Sequence, residues 1–388
     1  MATKGISSFR GYLVFQILPI FKPYFITSYM QLTPQELKQK LEKTEILLLL
    51  DVRTPEEFAD WHIPGAVNIS MNELISKLDL IPKDKEIVAI CAHGVRSQMA
   101  AQWLTSRGFK TATLFGGMAA WNSVYDTALI PYTATKDFKV FQLKRLGKGC
   151  LGYMLVSGDE VAVIDPSHHI QEFVDIANKM RKRVTKVIDT HQHADHVSGA
   201  RMLAQQVGAE LFLNDLDTYK FSGFTKLEDG DKIHLADLPI EVIHTPGHTK
   251  GSTSFLIEKL LITGDILFVD GVARPDLRDK ADEYANDLFS TYHDKILNLN
   301  GSTEILPAHA SSIALNFGVA VVDELNSIKK KLPVLELSKH EFLAAVKNVP
   351  PKPPNYQDVI QMNKGEYAYA PDEADALEEG ANMCVSKG

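Results

Sequence analysis

Residues 190–196 read T-H-Q-H-A-D-H directly after the strand-forming run 184–188, so His191, His193, Asp195 and His196 share one short loop at a strand end. Neutral imidazoles and carboxylates are the ordinary ligands of zinc and iron, and three imidazoles this close need a cation to organise them. A fold that carries this loop must therefore present a strand end to a metal. Further ligands follow in order. Residues 245–249 read T-P-G-H-T, where Pro246 and Gly247 make a tight turn that presents His248. Residues 260–265 read L-L-I-T-G-D, an apolar strand whose glycine frees the backbone to aim Asp265, and residues 306–309 read L-P-A-H, placing His309 at another strand end.

This series, H-x-H-x-D-H, then His, then Asp, then His, resembles the metallo-β-lactamase fold superfamily over residues 138–349. The resemblance implies an αββα sandwich: two mixed sheets between helices, with the ligands on loops at one edge. Local periodicity agrees, with a strand expected at 161–165 and helices at 170–183 and 198–207.

Composition sets the outer limits. A chain of 388 residues is long for one compact domain, and 45% hydrophobic with 23% charged residues is ordinary for a globular protein. A net charge of -8, with no Lys/Arg stripe interleaved with aromatics, argues against nucleic acid as a partner. Three widely spaced cysteines, Cys91, Cys150 and Cys384, make no disulfide framework, so a reducing, cytoplasmic location is expected and any special cysteine is catalytic rather than structural. Residues 1–29 hold Lys4, Arg10 and Lys22 around an apolar stretch at 12–21 that is too short to span a bilayer. They read as a leader or a mis-assigned start, because Thr33, Pro34 and Glu36 open a well-capped helix just after Met30.

The N-terminal third carries a second chemistry. Residues 45–51 and 87–91 are apolar runs suited to central strands of a parallel sheet. The second ends in Cys91, followed by Ala92, His93, Gly94, Val95 and Arg96 and then a helical pattern over 97–106. A cysteine between a strand end and a helix N-terminus sits where backbone N–H groups converge, which favours thiolate and binds anions. Arg96 adds a guanidinium fork for a sulfonate or phosphate.

L-D-V-R-T-P-E-E-F at 50–58, H-I-P-G-A-V-N-I at 62–69, C-A-H-G-V-R at 91–96 and G-G-M-A-A-W at 116–121 together resemble the rhodanese family of sulfurtransferases, an α/β fold with a parallel sheet flanked by helices. The resemblance implies that Cys91 carries sulfur as a persulfide while residues 92–96 cradle that sulfur and the donor's anionic end. Cysteine phosphatases place the arginine six residues after the cysteine; Arg96 comes five after Cys91, which favours sulfur. Asp51, Arg53 and Glu57 read as structural charges and His62 as a packing residue.

The organisation expected is thus a leader (1–29), a rhodanese-like domain (30–130), a linker (131–137), a metallo-β-lactamase-fold domain (138–349) and a Pro-rich, acidic tail (350–388) that wraps a surface without adding a fold. The pairing of these modules resembles the persulfide dioxygenases and their rhodanese fusions. That resemblance implies oxidation of a low-molecular-weight persulfide, of glutathione or another thiol, by O2 to sulfite and thiol, using one Fe(II) per chain. Thiosulfate or sulfite would be the small-molecule partner at Cys91. Carried over by residue, the iron ligands are His191, His248 and Asp265, with His193, Asp195, His196 and His309 around them. Arg274 and Asp276, in V-A-R-P-D-L at 272–277, would stand near substrate. All seven ligands of a two-metal hydrolase are present, so a binuclear zinc thioester hydrolase of the glyoxalase II kind stays open. The absence of an evident helical C-terminal domain leans against it. A sulfur carrier or persulfide sensor is the third reading. The oligomeric state is left open, a homo-oligomer included, and no stable membrane span is expected.

Overall fold

The computed structural model describes residues 29–276, 280–310, 315–347, 352, 355–367, 369–378 and 385–386. The expected leader, apart from Tyr29, lies outside them, as do Leu277, the four prolines at 350–354 and Cys384.

The N-terminal unit is built on a five-stranded parallel sheet in the order Met30–Leu32, Thr111–Leu114, Glu86–Ile90, Leu47–Asp51, Val67–Asn68. The two apolar runs are its central strands, and Leu50, Ile87, Val88, Ala89 and Ile90 are fully buried. Helix Pro34–Glu42 starts as its sequence requires: Thr33 caps it, and the Glu36 carboxylate accepts from the Thr33 N–H in a capping box.

The second unit holds two mixed sheets. The seven-stranded sheet runs Thr225–Lys226, Glu210–Leu213, Arg183–Ile188, Glu160–Ile164, Leu151–Ser157, Lys139–Arg145, Tyr125–Leu129; the six-stranded sheet runs Lys232–Leu235, Leu238–His244, Thr253–Ile257, Leu260–Gly264, Glu304–Pro307, Asp323–Glu324. Val140, Tyr153, Leu155 and Ile164 of one sheet meet Ile240, Phe255 and Ile262 of the other in the inner core. Helices Gln171–Lys179 and Ala200–Val207 cover one outer face, and Ala281–Ser290, Leu325–Lys331 and Lys339–Ala345 the other. This is the αββα sandwich that the motifs imply.

Two stretches differ from the sequence reading. The residues just before the expected linker form an edge strand, Tyr125–Leu129, pairing antiparallel with Lys139–Arg145 in the second unit's sheet, and the linker itself is a short turn of 3-10 helix at Pro131–Thr135. The acidic tail is also not simply extended, for it forms helices Tyr356–Lys364 and Pro371–Leu377. Val359, Met362 and Ala374 bury against Val197, so apolar spacing within an acidic segment was enough to build them. The tail thus adds two short helices where the sequence reading expected only an extended wrap. Among the described residues no helix is long and apolar enough to cross a membrane.

Candidate functional site

Parallel strands Glu160–Ile164 and Arg183–Ile188 end side by side, and Asp165 and Thr190 follow them. The Asp165 carboxylate accepts from the Thr190 N–H at 2.7 Å and its hydroxyl at 2.9 Å, which fixes the start of the metal loop. Thr190 Oγ1 then stands 2.8 Å from His191 Nδ1, so the ring's other nitrogen, Nε2, points inward. His248 is oriented the same way: its Nδ1 donates to the Arg274 carbonyl at 3.0 Å. Asp265 leaves the end of strand Leu260–Gly264 with Oδ1 held 2.6 Å from His309 Nδ1.

Each of these three side chains keeps one ligand atom out of any hydrogen bond. His191 Nε2, His248 Nε2 and Asp265 Oδ2 are buried with no hydrogen-bond partner, and Oδ2 lies 3.8 Å from the first and 3.6 Å from the second. Buried polar atoms are almost always paired, because leaving one unpaired costs about 1–3 kcal/mol. Three on one point, each with its other polar atom fastened elsewhere, fit a two-His, one-carboxylate metal centre. Burial, then the neighbouring His193, hold the His191 pKa well below the usual range. Burial likewise lowers that of His248, so both rings are neutral, as ligands must be.

The other four candidates are arranged differently. His309 Nε2 lies 2.9 Å from Asp195 Oδ2, and His196 Nδ1 lies 3.1 Å from the same carboxylate. Burial pushes the His309 pKa down, but Asp265 and Asp195 together raise it above the usual value, and the ring stands between those two carboxylates. Cys150, for which the sequence offered no role, joins this group with Sγ 3.3 Å from Asp195 Oδ2. His193 turns away toward Asp165 and Asp189, at 3.3 and 3.9 Å. Arg274 is fully buried and pairs bidentately with Asp276, at 2.8 and 3.0 Å, so this is no surface pair.

The second candidate site is on the N-terminal sheet. Cys91 follows strand Glu86–Ile90 and precedes helix Val95–Thr105. Its Sγ receives the Gly94 N–H at 3.1 Å and lies 3.4 Å from Ser97 Oγ, a contact that sequence reasoning missed. Gly94 has φ 94°, which lets the loop curl back over the sulfur. His93 and Val95 line the exposed rim, whereas Ala92 and Arg96 are half-buried. Arg96 donates both Nη atoms to Glu57, at 2.7 and 2.6 Å, which pulls the Glu57 pKa down to about 2. Glu57 thus engages the fork expected to meet a donor anion, rather than serving only the strand-to-helix turn. Asp51 and Arg53 form the buried structural pair anticipated, and His62 stacks on Phe58.

G-G-M-A-A-W buttresses this loop from behind. The Met118 and Ala119 N–H groups donate to the Cys91 and Ala92 carbonyls at 2.9 and 3.0 Å. A Cβ on Gly117 would come within 2.2 Å of the Cys91 oxygen, so only glycine fits.

Residues 33–124 match the family model for the rhodanese-like domain, and residues 147–309 match that for the metallo-β-lactamase superfamily. A Bacillus subtilis (strain 168) protein named "Putative sulfurtransferase YtwF" is 44% identical over 91 residues, which are 24% of this chain and 88% of that protein. The chain is a rhodanese-like domain joined to a metallo-β-lactamase-superfamily domain. The second domain is similar to the human mitochondrial persulfide dioxygenase ETHE1, 29% identical over 209 residues, covering 53% of this chain and 78% of the relative. A metallo-β-lactamase crystal structure from Staphylococcus aureus subsp. aureus COL superposes with a TM-score of 0.55 at 23% identity, over 63% of this chain and 75% of that one, which bears on the fold alone. The rhodanese-like domain therefore supplies the Cys91 loop, and the metallo-β-lactamase domain the buried His/Asp centre.

Proposed function

We propose that this chain is a persulfide dioxygenase coupled to a sulfurtransferase. A low-molecular-weight persulfide, O2 and water would yield the free thiol, sulfite and protons. The observation that carries the reading is the convergence of three unpartnered, buried donor atoms of His191, His248 and Asp265. The similarity to enzymes named persulfide dioxygenase, on a chain that also carries a rhodanese-like domain, supports it. Fe(II), held by that triad, would supply the redox chemistry that joins persulfide sulfur to O2.

The chain's own residues do the rest. Thr190, Arg274 through its carbonyl, and His309 fix the orientation of the three ligands. Arg274, buried and paired with Asp276, would be the group that meets the anionic persulfide, on the resemblance to persulfide dioxygenases. At the other site Cys91 carries sulfane sulfur between thiosulfate or a persulfide and its acceptor, with the Gly94 N–H on the sulfur and Arg96 on the donor's anion.

A second reading has an observation behind it. Cys150, Asp195, His196 and His309 form another buried ligand-type group, and His196 Nε2 is unpartnered, which would suit a second zinc and thioester hydrolysis. Three of its members are already bonded to one another through Asp195, which favours the single-metal reading. Anaerobic purification with metal analysis, then O2 uptake and sulfite release on adding glutathione persulfide, decides between them. About one iron per chain with both activities supports the proposal; two zincs, thioester hydrolysis and no O2 uptake overturn it.

A further inference from the structure

Glu378 is fully buried although it lies in the acidic tail, just after helix Pro371–Leu377. Its carboxylate is fastened from three sides. Arg145 Nη1, itself fully buried, donates to Oε2. The Val197 N–H donates to Oε1 at 2.5 Å, and His168 Nδ1 stands 3.1 Å from the same oxygen. Its backbone carbonyl takes Lys148 Nζ at 2.9 Å and Asn122 Nδ2 at 3.4 Å. Desolvating a carboxylate this completely is costly unless every lone pair is used for something the fold needs.

Val197 directly follows His196 in the metal loop. The preceding tail helix grips the same loop: Asn363 Nδ2 donates to the His193 and His196 carbonyls at 2.9 and 2.8 Å, and its Oδ1 accepts from the Ser198 N–H at 2.8 Å. Val197 packs on Val359, Met362 and Ala374, and Ala194 on Ile360. These loop carbonyls and N–H groups lie outside any helix or strand, so without the tail they would have no protein partner and the loop less reason to hold one shape. On its far side the clasp reaches the rhodanese-like domain. Arg145 Nε donates to the Asn122 carbonyl at 2.6 Å, and Asn122 caps helix Gly117–Trp121, which buttresses the Cys91 loop.

We propose that Glu378 and Asn363 are positioning residues for this loop, by which the C-terminal segment holds residues 193–198 in one shape and so steadies the neighbouring ligand His191. This rests on reading His191, His248 and Asp265 as a metal centre. Neither residue touches the metal or the substrate; each acts through the loop backbone.

Hydrogen exchange on the metal-free, full-length protein tests the idea without depending on which metal binds. In Glu378→Ala and Asn363→Ala, amides of residues 191–198 should exchange about tenfold faster or more, while those of strand Glu160–Ile164 keep their protection. Glu378→Gln, which keeps an acceptor for Val197, should fall between. Should Glu378→Ala not fold, the double variant Arg145→Met with Glu378→Met removes the buried pair together and still leaves the Val197 N–H without its acceptor. The metal-loaded variants should also yield their metal to a chelator about tenfold faster, whether it is iron or zinc. Unchanged exchange over 191–198 overturns the proposal. So does equal loss of protection in loop and strand, since that marks a merely structural role. If the parent protein binds no metal, the metal-centre reading fails by itself, and the exchange result still judges the positioning of the loop.

Discussion

His309 and Asp265 share a 2.6 Å contact between Nδ1 and Oδ1, and this contact leaves Oδ2 of Asp265 as the oxygen that faces His191 and His248. Asp265 is thus a ligand candidate, and His309 the group that aims it. Asp265→Ala is expected to strip the metal and end sulfite formation, whereas His309→Ala should retain an appreciable share of it. Metal content by elemental analysis checks this. Equal loss in both variants would return His309 to the ligand set and favour a binuclear site.

The two chemistries should separate by mutation, since one uses a thiolate and the other a metal. Cys91→Ser should end sulfur transfer, because oxygen there cannot carry a labile sulfane sulfur, yet O2 uptake with preformed glutathione persulfide should persist. His191→Ala should do the reverse. Loss of persulfide oxidation in Cys91→Ser would instead make the sulfur on Cys91 an obligatory courier.

Glu57 competes for the Arg96 guanidinium with any donor anion. Glu57→Gln should therefore lower KM for thiosulfate, and Arg96→Ala should raise it about tenfold, the loss of about 1.4 kcal/mol expected of one charge-assisted contact. Steady-state kinetics over a thiosulfate series reads both changes, and an unchanged KM in Arg96→Ala would remove this residue from donor binding.

The same pair gives a pH expectation. Arg96 pulls the folded Glu57 pKa down to about 2, below its ordinary value, so the pair's contribution is present above the unfolded pKa and fades as pH falls through the acid range toward about 2. Both side chains are about a third exposed, which limits the contribution to under about 1 kcal/mol. Acid unfolding of Glu57→Gln should show a correspondingly small loss of stability at neutral pH that vanishes near pH 2; a loss that persists there would need another cause.

Gly117→Ala should disable sulfur transfer while sparing the metal centre. Its φ of 64° and the 2.2 Å approach of a Cβ to the Cys91 oxygen require the loop to move. A destabilisation of about 1–3 kcal/mol by thermal unfolding, with transfer lost, is expected; full transfer activity would show that the loop tolerates the shift.

Much of this protein was written in local sequence. Apolar runs ending in Cys91 and in the H-x-H-x-D-H loop marked the strand ends, because chemistry at a strand terminus needs only a short segment to specify it. The capping boxes at Thr33 and Thr54 were likewise set by residues three apart. Local pattern could not say that His191 and His248 would each leave one nitrogen unpaired beside Asp265 while His309 spent both of its own on carboxylates. That division depends on side chains from distant strands meeting in one desolvated pocket. Nor could it place Cys150 beside Asp195, or seat Glu378 against Arg145 and Val197 across more than 180 residues of chain. Spacing in sequence chose the candidate ligands and the nucleophile. Long-range burial, which makes every buried polar atom find a partner or a role, decided which atoms remained for a metal and which hold the loop in place.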